Sequence, residues 1–330
     1  MPSLPPLYET WVTQLLGAAP PSEPRSTCAT CAMVARGPQA EDPGPHFLPE
    51  VKCCQFLPRL PNFLVGRILR DPELPPGLAS IRARIADPTI ANATGLGCTT
   101  EYADAFEAAK NDGRFGQVLD LRCPHYLPDS GHCGIWAHRE SVCTTWFCKH
   151  SHGARSRHFW HTLQQLLRAA EDALARWCAQ GLGADANWST WAHQREAYYE
   201  ACARRVEDLD WRDVQRIGGF ELRFRARLLK EAWAGLQERG VPPVLVAGRI
   251  RAIPLPTGGY RVWGYSQYDP SDLPAEVVGL LSRFNGRTVE EVLREGDVGD
   301  TDGPLSGLVL DEAMLEHLFE ARILDLPPEA

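Results

Sequence analysis

The stretch CPHYLPDSGHCGIWAHRESVCTTWFCKHSH, residues 123–152, carries four cysteines and five histidines. No other part of the chain is so rich in residue types that ligate metals. Thiolates hold zinc, copper(I) and iron–sulfur clusters, and neutral imidazole suits zinc and iron. The stretch therefore predicts a metal centre around which the chain is organised, with further ligands to be found elsewhere in the sequence.

The composition is that of a soluble globular protein with two to three domains. Of 330 residues, 44% are hydrophobic and 23% are charged. No apolar run is long enough to span a membrane, and the proline-rich start MPSLPPLYE lacks the basic and apolar regions of a signal peptide. We therefore expect a cytoplasmic protein, with no membrane partner, whose eleven cysteines stay reduced thiols unless a metal binds them.

The negative charge is concentrated at one end of the chain. From Val241 onward there are 7 arginines, no lysine and 15 acidic residues, so this part alone accounts for the net charge of −8. Binding to nucleic acid requires clustered Lys and Arg against the phosphates. We therefore expect no nucleic-acid partner.

Apolar periodicity predicts a mainly α protein of the α+β class. Residues 1–152 are interrupted by proline-rich loops at 18–26 and 37–50 and predict a loop-rich domain that a metal holds together. Residues 153–240 have apolar side chains at helical spacing and predict a segment of helical bundle. Its expected helices run from Phe159 to Gly181, from about Trp191 to Val206 and from about Glu221 to Glu238, and a shorter helix that ends at Gly17 is expected near the start of the chain.

Residues 241–330 predict a third, acidic domain. The stretches VPPVLVAGRIRAIPL and GYRVWGYS indicate two strands joined at a turn over residues 256–259. Three short helices are expected afterwards, at 272–284, 288–294 and 310–321. A β-hairpin with three helices predicts a winged-helix-like arrangement.

Eight of the eleven cysteines form close pairs in the first 148 residues. Two thiolates a few residues apart can reach one metal ion, and two such pairs complete a tetrahedral shell. Four pairs could therefore make two four-thiolate sites, or one site with spare ligands. The predicted ligands are Cys28, Cys31, Cys53, Cys54, Cys123, Cys133, Cys143 and Cys148.

The other cysteines and the histidines have weaker claims to the metal. Cys178 and Cys202 lie on apolar stripes of predicted helices, where a thiol packs as a small hydrophobic group. Cys98, in GLGCT, is a spare candidate ligand. The histidines of residues 123–152 are expected mainly as neighbours of the site, although any one of them could replace a cysteine.

The order of the cysteines resembles that of the bacterial YkgJ-type cysteine-cluster proteins, which are described as zinc- or iron-chelating. The resemblance covers residues 25–152: a CxxC at Cys28 and Cys31, then the adjacent pair at Cys53, then Cys123, Cys133 in GHCGIW, Cys143 and Cys148. This chain departs from the pattern by a 21-residue insert between the first two pairs, and by HRESVC where the family has RPxxC. The resemblance implies an eight-cysteine metal site.

The sequence leaves zinc and iron–sulfur open. Cysteine pairs are typical of structural zinc sites, whereas an adjacent CC pair is uncommon in them. Eight thiolates would suit one or two four-cysteine clusters, and we favour an iron–sulfur centre.

The C-terminal part has a second resemblance. The phrase LLSRFNGRTVEEVL and the element order look like PqqD-type domains, which clasp a leader peptide as an added strand. This likeness implies a peptide or protein partner for residues 241–330.

Two classes of function follow. The first is a metal-binding protein with a sensing, storage or accessory role. The second is a cluster-dependent enzyme that modifies a peptide recruited by the C-terminal domain, for which a methylase-like activity is one example, because a related cysteine cluster occurs in flagellin lysine methylases. No phosphate loop, nucleophile elbow or HExxH motif is present, so no catalytic residues are assigned and we favour the first class.

Overall fold

The computed structural model describes residues 4–26, 28, 30–34, 46–238, 240–256, 258–298 and 310–327. Its contacts divide the chain into two compact units. The first unit comprises residues 1–147 and 159–233, and the second comprises residues 148–158 and 234–330. Most of the predicted loop at 37–50 lies outside the described residues.

Helices dominate the described chain, and the strands are short and antiparallel. The mainly α, α+β class is therefore confirmed. The helices are α1 Pro6–Leu16, α2 Asn62–Leu69, α3 Pro75–Ala86, α4 Thr100–Asn111, α5 Ser141–Thr145, α6 Gly153–Gly181, α7 Trp188–Trp191, α8 Arg195–Val206, α9 Trp211–Gln237, α10 Ala275–Leu280, α11 Val289–Val298 and α12 Glu312–Glu320. The strands are β1 Leu60–Pro61, β2 Ala91–Asn92, β3 Gly95–Leu96, β4 Tyr126–Leu127, β5 His132–Cys133, β6 Val244–Ala247, β7 Arg251–Pro254, β8 Tyr260–Trp263, β9 Ser271–Leu273, β10 Arg287–Thr288 and β11 Leu324–Asp325.

The helices that the sequence predicted from periodicity form where expected. Helix α1 ends at Gly17, which adopts the left-handed conformation of a C-terminal cap. Helix α6 ends at Gly181, and α8 covers most of the second predicted helix. Helix α9 starts ten residues earlier than expected and is interrupted at Gly219.

Three further helices, α2, α3 and α4, form in the part expected to be loop-rich. Helix α2 is buried on nearly every side, so the sequence shows a continuous apolar run instead of a periodic one. Helix α3 begins with Pro75 and Pro76, which suit the first turn of a helix although they also read as a loop signal. Helix α4 contacts the chain next to Cys54, because the hydroxyl of Tyr102 donates to the carbonyl of Gln55.

Helices α2 and α8 approach each other closely in the first unit. A side chain at Gly66 would collide with the carbonyl of Tyr199, so only glycine allows the two helices to approach this closely. Asn62 fixes the start of α2, because its buried side-chain amide donates to the carbonyls of Ala93 at 2.8 Å and Ala175 at 2.9 Å. This packing gives the first unit a rigid helical frame.

The second unit has two three-stranded antiparallel sheets. Strand β6 lies between β10 and β11, and β8 lies between β7 and β9. The expected hairpin forms with Arg251 opposite Trp263 and Pro254 opposite Tyr260. The core of the second unit contains Leu245, Phe284, Leu318 and Ile323, all fully buried.

None of the helices in the described part of the chain combines the length and the apolar character that crossing a membrane requires.

Candidate metal centre

Three segments distant in sequence carry the predicted ligands of the first unit. Cys28 and Cys31 lie in an irregular segment, and Cys53 and Cys54 lie in a run of turns. Cys133 lies in β5 and Cys143 in α5, whereas Cys123 precedes β4. The local structure of each segment is short and irregular, so contacts between segments have to hold them together.

Backbone contacts join these segments. The N–H of Cys123 donates to the carbonyl of Cys54 at 2.7 Å. The ammonium of Lys52 donates to the carbonyls of Cys28 and Gly131, both at 2.8 Å. Lys52 has a φ of 53°, a left-handed conformation that few residues other than glycine adopt. Lys52 therefore ties the Cys28 segment to the turn between β4 and β5.

The thiols of these segments interact electrostatically with one another. Burial and then the Cys53 thiol raise the pKa of Cys28 to about 11. Burial raises the pKa of Cys133 to about 11, with further contributions from Cys28 and Cys53. Burial likewise raises the pKa of Cys123 to about 12, and Cys133 and Cys53 add to the effect. Without a metal, these thiols are held neutral.

The remaining cysteines of the first unit extend the same group. Burial, then Glu140 and the Cys123 and Cys133 thiols, raise the pKa of Cys143. The pKa of Cys53 is raised first by a hydrogen bond with Cys54, and that of Cys31 is raised by burial and by Cys53. Pairwise electrostatic interactions thus connect seven of the eight predicted ligands, each to at least one other: Cys28, Cys31, Cys53, Cys54, Cys123, Cys133 and Cys143.

The other four cysteines have different surroundings. Cys148 is buried in the second unit, and Cys98 is exposed near Arg84 and Tyr102. Cys178 and Cys202 are fully buried on α6 and α8, where the Cys178 thiol lies 3.7 Å from the carbonyl of Cys202. Their thiols interact with each other, since Cys202 is the largest cause of the raised pKa of Cys178.

The thiols are not gathered at coordination distance. Across the described ranges, no three Cys, His, Asp or Glu side chains stand close enough together to hold a metal ion. The donor chemistry of the cluster fits zinc or an iron–sulfur centre, because thiolate is the ligand common to both. Coordination would require the thiol side chains to move closer to one another than they stand here.

A buried arginine lies beside the thiols. Arg84, only 5% exposed, donates through Nη2 to the carbonyls of Pro58 at 2.9 Å and Gly97 at 2.7 Å. No carboxylate pairs with Arg84 in the described part of the chain, and its buried Nε has no hydrogen-bond acceptor there. Burial lowers the pKa of Arg84, and the thiols of Cys123, Cys98 and Cys143 raise it. The thiols and the Tyr102 hydroxyl are therefore the described groups that can supply negative charge to this cation.

A second buried arginine lies on the same cluster. Arg139 is 4% exposed, and its guanidinium carbon lies 3.3 Å from the ring centroid of Trp136. Burial lowers the pKa of Arg139, whereas Cys133 and Cys143 are the largest influences that raise it. Two buried cations thus border the thiols.

In three of the five histidines, the ring contacts residues other than the cysteines. His125 lies between Ser80, at 2.7 Å from Nδ1, and Arg84, at 2.9 Å from Nε2. An arginine can only donate, so Nε2 of His125 accepts the bond and its neutral ring carries the proton on Nδ1. Burial and then Arg84 lower the pKa of His125 to about 3. Both ring nitrogens are therefore engaged away from a metal.

The other histidines are spread over both units. His138 pairs through Nε2 with Asp71 at 2.8 Å, and in the second unit His152 lies 3.1 Å from Glu320. His132, next to Cys133 in β5, is half-buried, and the buried His150 packs edge-on against Tyr265. His132 is thus the histidine that is adjacent to a predicted ligand both in the sequence and within a strand.

Two buried glutamates support the helix that carries Cys143. Glu140 caps α5 by accepting the N–H groups of Val142 at 2.6 Å and Cys143 at 2.8 Å. Glu171 accepts both the N–H and the hydroxyl of Ser141 at 2.7 Å, together with the hydroxyl of Tyr8. Burial and then Glu140 raise the pKa of Glu171 to about 8. The carboxyl pair fixes the backbone of α5 and with it the position of Cys143.

The sequence did not predict these supporting residues. Arg84 occupies a position on α3 that shares a face with Ile81 and Ile85, and a cation at such a position signals burial. Arg139 and Glu140 are adjacent charges within a cysteine-rich stretch, which carries no signal of burial by itself. Their roles depend on contacts between distant segments.

No protein-family model, curated protein or solved structure matches this chain.

Proposed function

We propose that this chain is a cytoplasmic metal-binding protein in which paired cysteines hold an iron–sulfur cluster or zinc, with a sensing, storage or accessory role. The observation that carries this proposal is that hydrogen bonds from Cys123 to Cys54 and from Lys52 to Cys28 and Gly131 join three cysteine-bearing segments distant in sequence, beside the buried Arg84. The cysteine order that resembles YkgJ-type proteins supports the same conclusion.

Charge balance favours a bound metal. Burying a cation without a partner costs several kcal/mol, and Arg84 has no carboxylate partner among the described residues. Neutral thiols would leave Arg84 without an anionic partner in the part of the chain that the structure describes. Four thiolates around Zn²⁺ carry a net charge of about −2, and a four-cysteine [4Fe–4S] cluster in its oxidised state carries about the same. The buried Arg84 supplies positive charge beside such a centre.

Because the pKa values of the thiols are raised, thiolates can balance the charge of Arg84 only when a metal is bound. Cys28, Cys123 and Cys133 hold their protons at neutral pH, because burial and neighbouring thiols disfavour the thiolate. A metal ion displaces these protons and stabilises the thiolates. Binding would then both draw the three segments together and provide counter-charge for Arg84.

Elemental analysis of protein purified without oxygen tests the proposal. Iron and acid-labile sulfide with a brown absorption spectrum are expected for clusters, and stoichiometric zinc in colourless protein is expected for a zinc site. Folded protein that contains neither metal, and takes up neither on reconstitution, would refute the proposal.

A second candidate is a cluster-dependent enzyme that modifies a peptide held by the C-terminal unit. Strand β7 favours it, because β7 is the edge of the β7-β8-β9 sheet and most of its residues are exposed. A free edge can accept a peptide as an added strand. The test is incubation of cluster-reconstituted protein with S-adenosylmethionine and peptides encoded beside its gene. The enzyme reading predicts a mass shift in one peptide, and unchanged masses throughout would count against it.

A further inference from the structure

A cavity of about 710 Å³ lies at the break in helix α9. Its walls come from both arms of the helix, on either side of Gly219, and from the end of α1. Gly219 has φ 64° and ψ −139°, a conformation that is essentially confined to glycine. The bend is therefore specified by the sequence. We call this cavity, with its walls at Asp210–Gln215 and Arg223–Lys230, the α9 elbow.

The end of α1 is fixed against the first arm of the elbow. The N–H of Trp211 donates to the side-chain oxygen of Gln14 at 2.8 Å, and the indole N–H of Trp11 donates to the carbonyl of Leu209 at 2.9 Å. Trp211 is almost fully buried and lines the cavity. One side of the elbow is thus a preformed, rigid wall.

The walls of the elbow carry an excess of positive charge. Arg212, Arg223, Arg227 and Lys230 line the cavity with one acid, Asp210. Asp210 accepts the N–H of Asp213 at 2.9 Å and so caps the first turn of α9.

Among the described residues, these cations are largely without carboxylate partners, unlike others on the same helix. Arg216 pairs with Asp213, and Arg225 pairs with Glu221. Of the cations in the elbow, Arg227 alone has a carboxylate nearby, Glu231 at 3.6 Å, within the residues that the structure describes. Unpaired exposed cations around a concave surface attract an anionic ligand.

Two exposed phenylalanines lie on the second arm. Phe220 is 74% exposed and Phe224 is 40% exposed, and their rings stack with centroids 6.3 Å apart. Arg227 joins this pair to the cavity, because its guanidinium lies 5.4 Å from the ring of Phe224 while its side chain lines the elbow. Large exposed aromatic groups beside a charged cavity are typical of surfaces that bind another protein.

The ligand chemistry follows from both features. A small anion would use the cations but not the exposed rings. A nucleic acid requires a continuous basic surface, whereas α9 also carries Asp213, Glu221 and Glu231, and the whole chain has a net charge of −8. An acidic segment of a protein with apolar side chains among its carboxylates would use the cations and the rings together.

We infer that the α9 elbow is a docking site for an acidic segment of a partner protein, with its carboxylates on Arg223 and Lys230 and an apolar side chain on Phe220 and Phe224. This assignment is independent of the metal centre. It gives the protein a specific surface through which to meet its partner.

Fluorescence anisotropy on the full chain tests the docking site. The probe is a short fluorescein-labelled peptide in which Glu and Asp flank two leucines, titrated at low salt. Reversing Arg223 and Lys230 to Glu should weaken binding at least about tenfold, because two attractions become repulsions. The matched control reverses Arg59 and Arg114, exposed cations outside the elbow, and should change the affinity less than about twofold.

A second variant tests the contribution of the rings to binding separately from that of the cations. Replacing Phe220 and Phe224 with Ser removes exposed rings, so the fold should persist, as circular dichroism can verify. This variant should bind the leucine-containing peptide more weakly and bind an all-acidic peptide with unchanged affinity. The inference is overturned if the peptide fails to bind, or if reversing Arg59 and Arg114 lowers the affinity for the peptide equally. It is also overturned if an oligothymidylate of equal charge binds more tightly through Arg223 and Lys230.

Discussion

The guanidinium of Arg84 donates a hydrogen bond to Nε2 of His125 at 2.9 Å, and both side chains are buried next to Cys123. His125 is neutral in this contact, so it orients the arginine without neutralising it. The charge of Arg84 is therefore available to thiolates, and the same contact keeps His125 from serving as a metal ligand.

Replacing Arg84 with Met should lower both metal retention and stability. The variant removes a positive charge beside the thiolates and leaves the carbonyls of Pro58 and Gly97 without their donor, which costs about 1–3 kcal/mol for each buried group. Metal per chain after dialysis against a chelator, and urea unfolding of the same samples, provide the measurements. Arg59→Met is the surface control, since Arg59 is exposed. Equal metal retention in both variants would contradict a role for Arg84 in charge balance.

Metal binding should release protons. The thiols of Cys28 and Cys133, with pKa values of about 11, are protonated at neutral pH, and a metal binds the deprotonated form. We expect close to one proton released per ligating thiol, and an affinity for zinc that increases as the pH rises toward those pKa values. Calorimetric titration of metal-free protein in two buffers with different heats of ionisation counts the protons. Zinc binding with no proton release would show that the thiols were already ionised.

The sequence identified the paired cysteines as candidate ligands, but not the charged groups around them. Paired cysteines are visible as spacing, and the helix that ends at Gly181 is visible as periodicity. Glu171 could not be identified, because its burial results from packing between α5, α6 and the N-terminal helix. Helix α2 was missed for a related reason: a helix buried all round has no polar face. The confirmed α+β class followed from the C-terminal half, where strands and helices have clear periods.

Glu171 should make the stability of the protein depend on pH. Its pKa is raised to about 8 by burial and by Glu140, so the fold favours the neutral carboxyl. This contribution to stability is complete below about pH 4.5, the ordinary value for glutamate, and is lost as the pH rises through 8.

Glu171→Gln should therefore reduce the loss of stability between pH 5 and pH 8 relative to wild type, because the amide is neutral throughout. Thermal unfolding at several pH values measures this change. Glu196→Gln, at an exposed ion pair with Arg82, provides the control. A parallel pH dependence in wild type and Glu171→Gln would show that Glu171 is ionised in the fold.

Gly219 and Gly235, two of the three glycines of α9, should respond in opposite directions to alanine. At Gly219, with φ 64°, an added Cβ forces a strained backbone, so Gly219→Ala should destabilise the protein by about 1–2 kcal/mol. At Gly235 an added Cβ meets open space in an ordinary helix, so Gly235→Ala should stabilise it by about 0.5–1 kcal/mol. Urea unfolding compares the two variants. A stabilising Gly219→Ala would mean that α9 can straighten and that the elbow is not fixed.

Metal content in paired cysteine variants tests the central claim most directly. Cys123→Ser with Cys133→Ser removes two thiols of the proposed centre, and Cys178→Ser with Cys202→Ser removes two buried thiols that interact with each other. Iron, sulfide and zinc per chain are measured after anaerobic purification of both variants and wild type. We predict loss of metal in the first pair and wild-type metal in the folded fraction of the second. Loss of metal from the Cys178 and Cys202 variant alone would contradict the assignment of the metal centre.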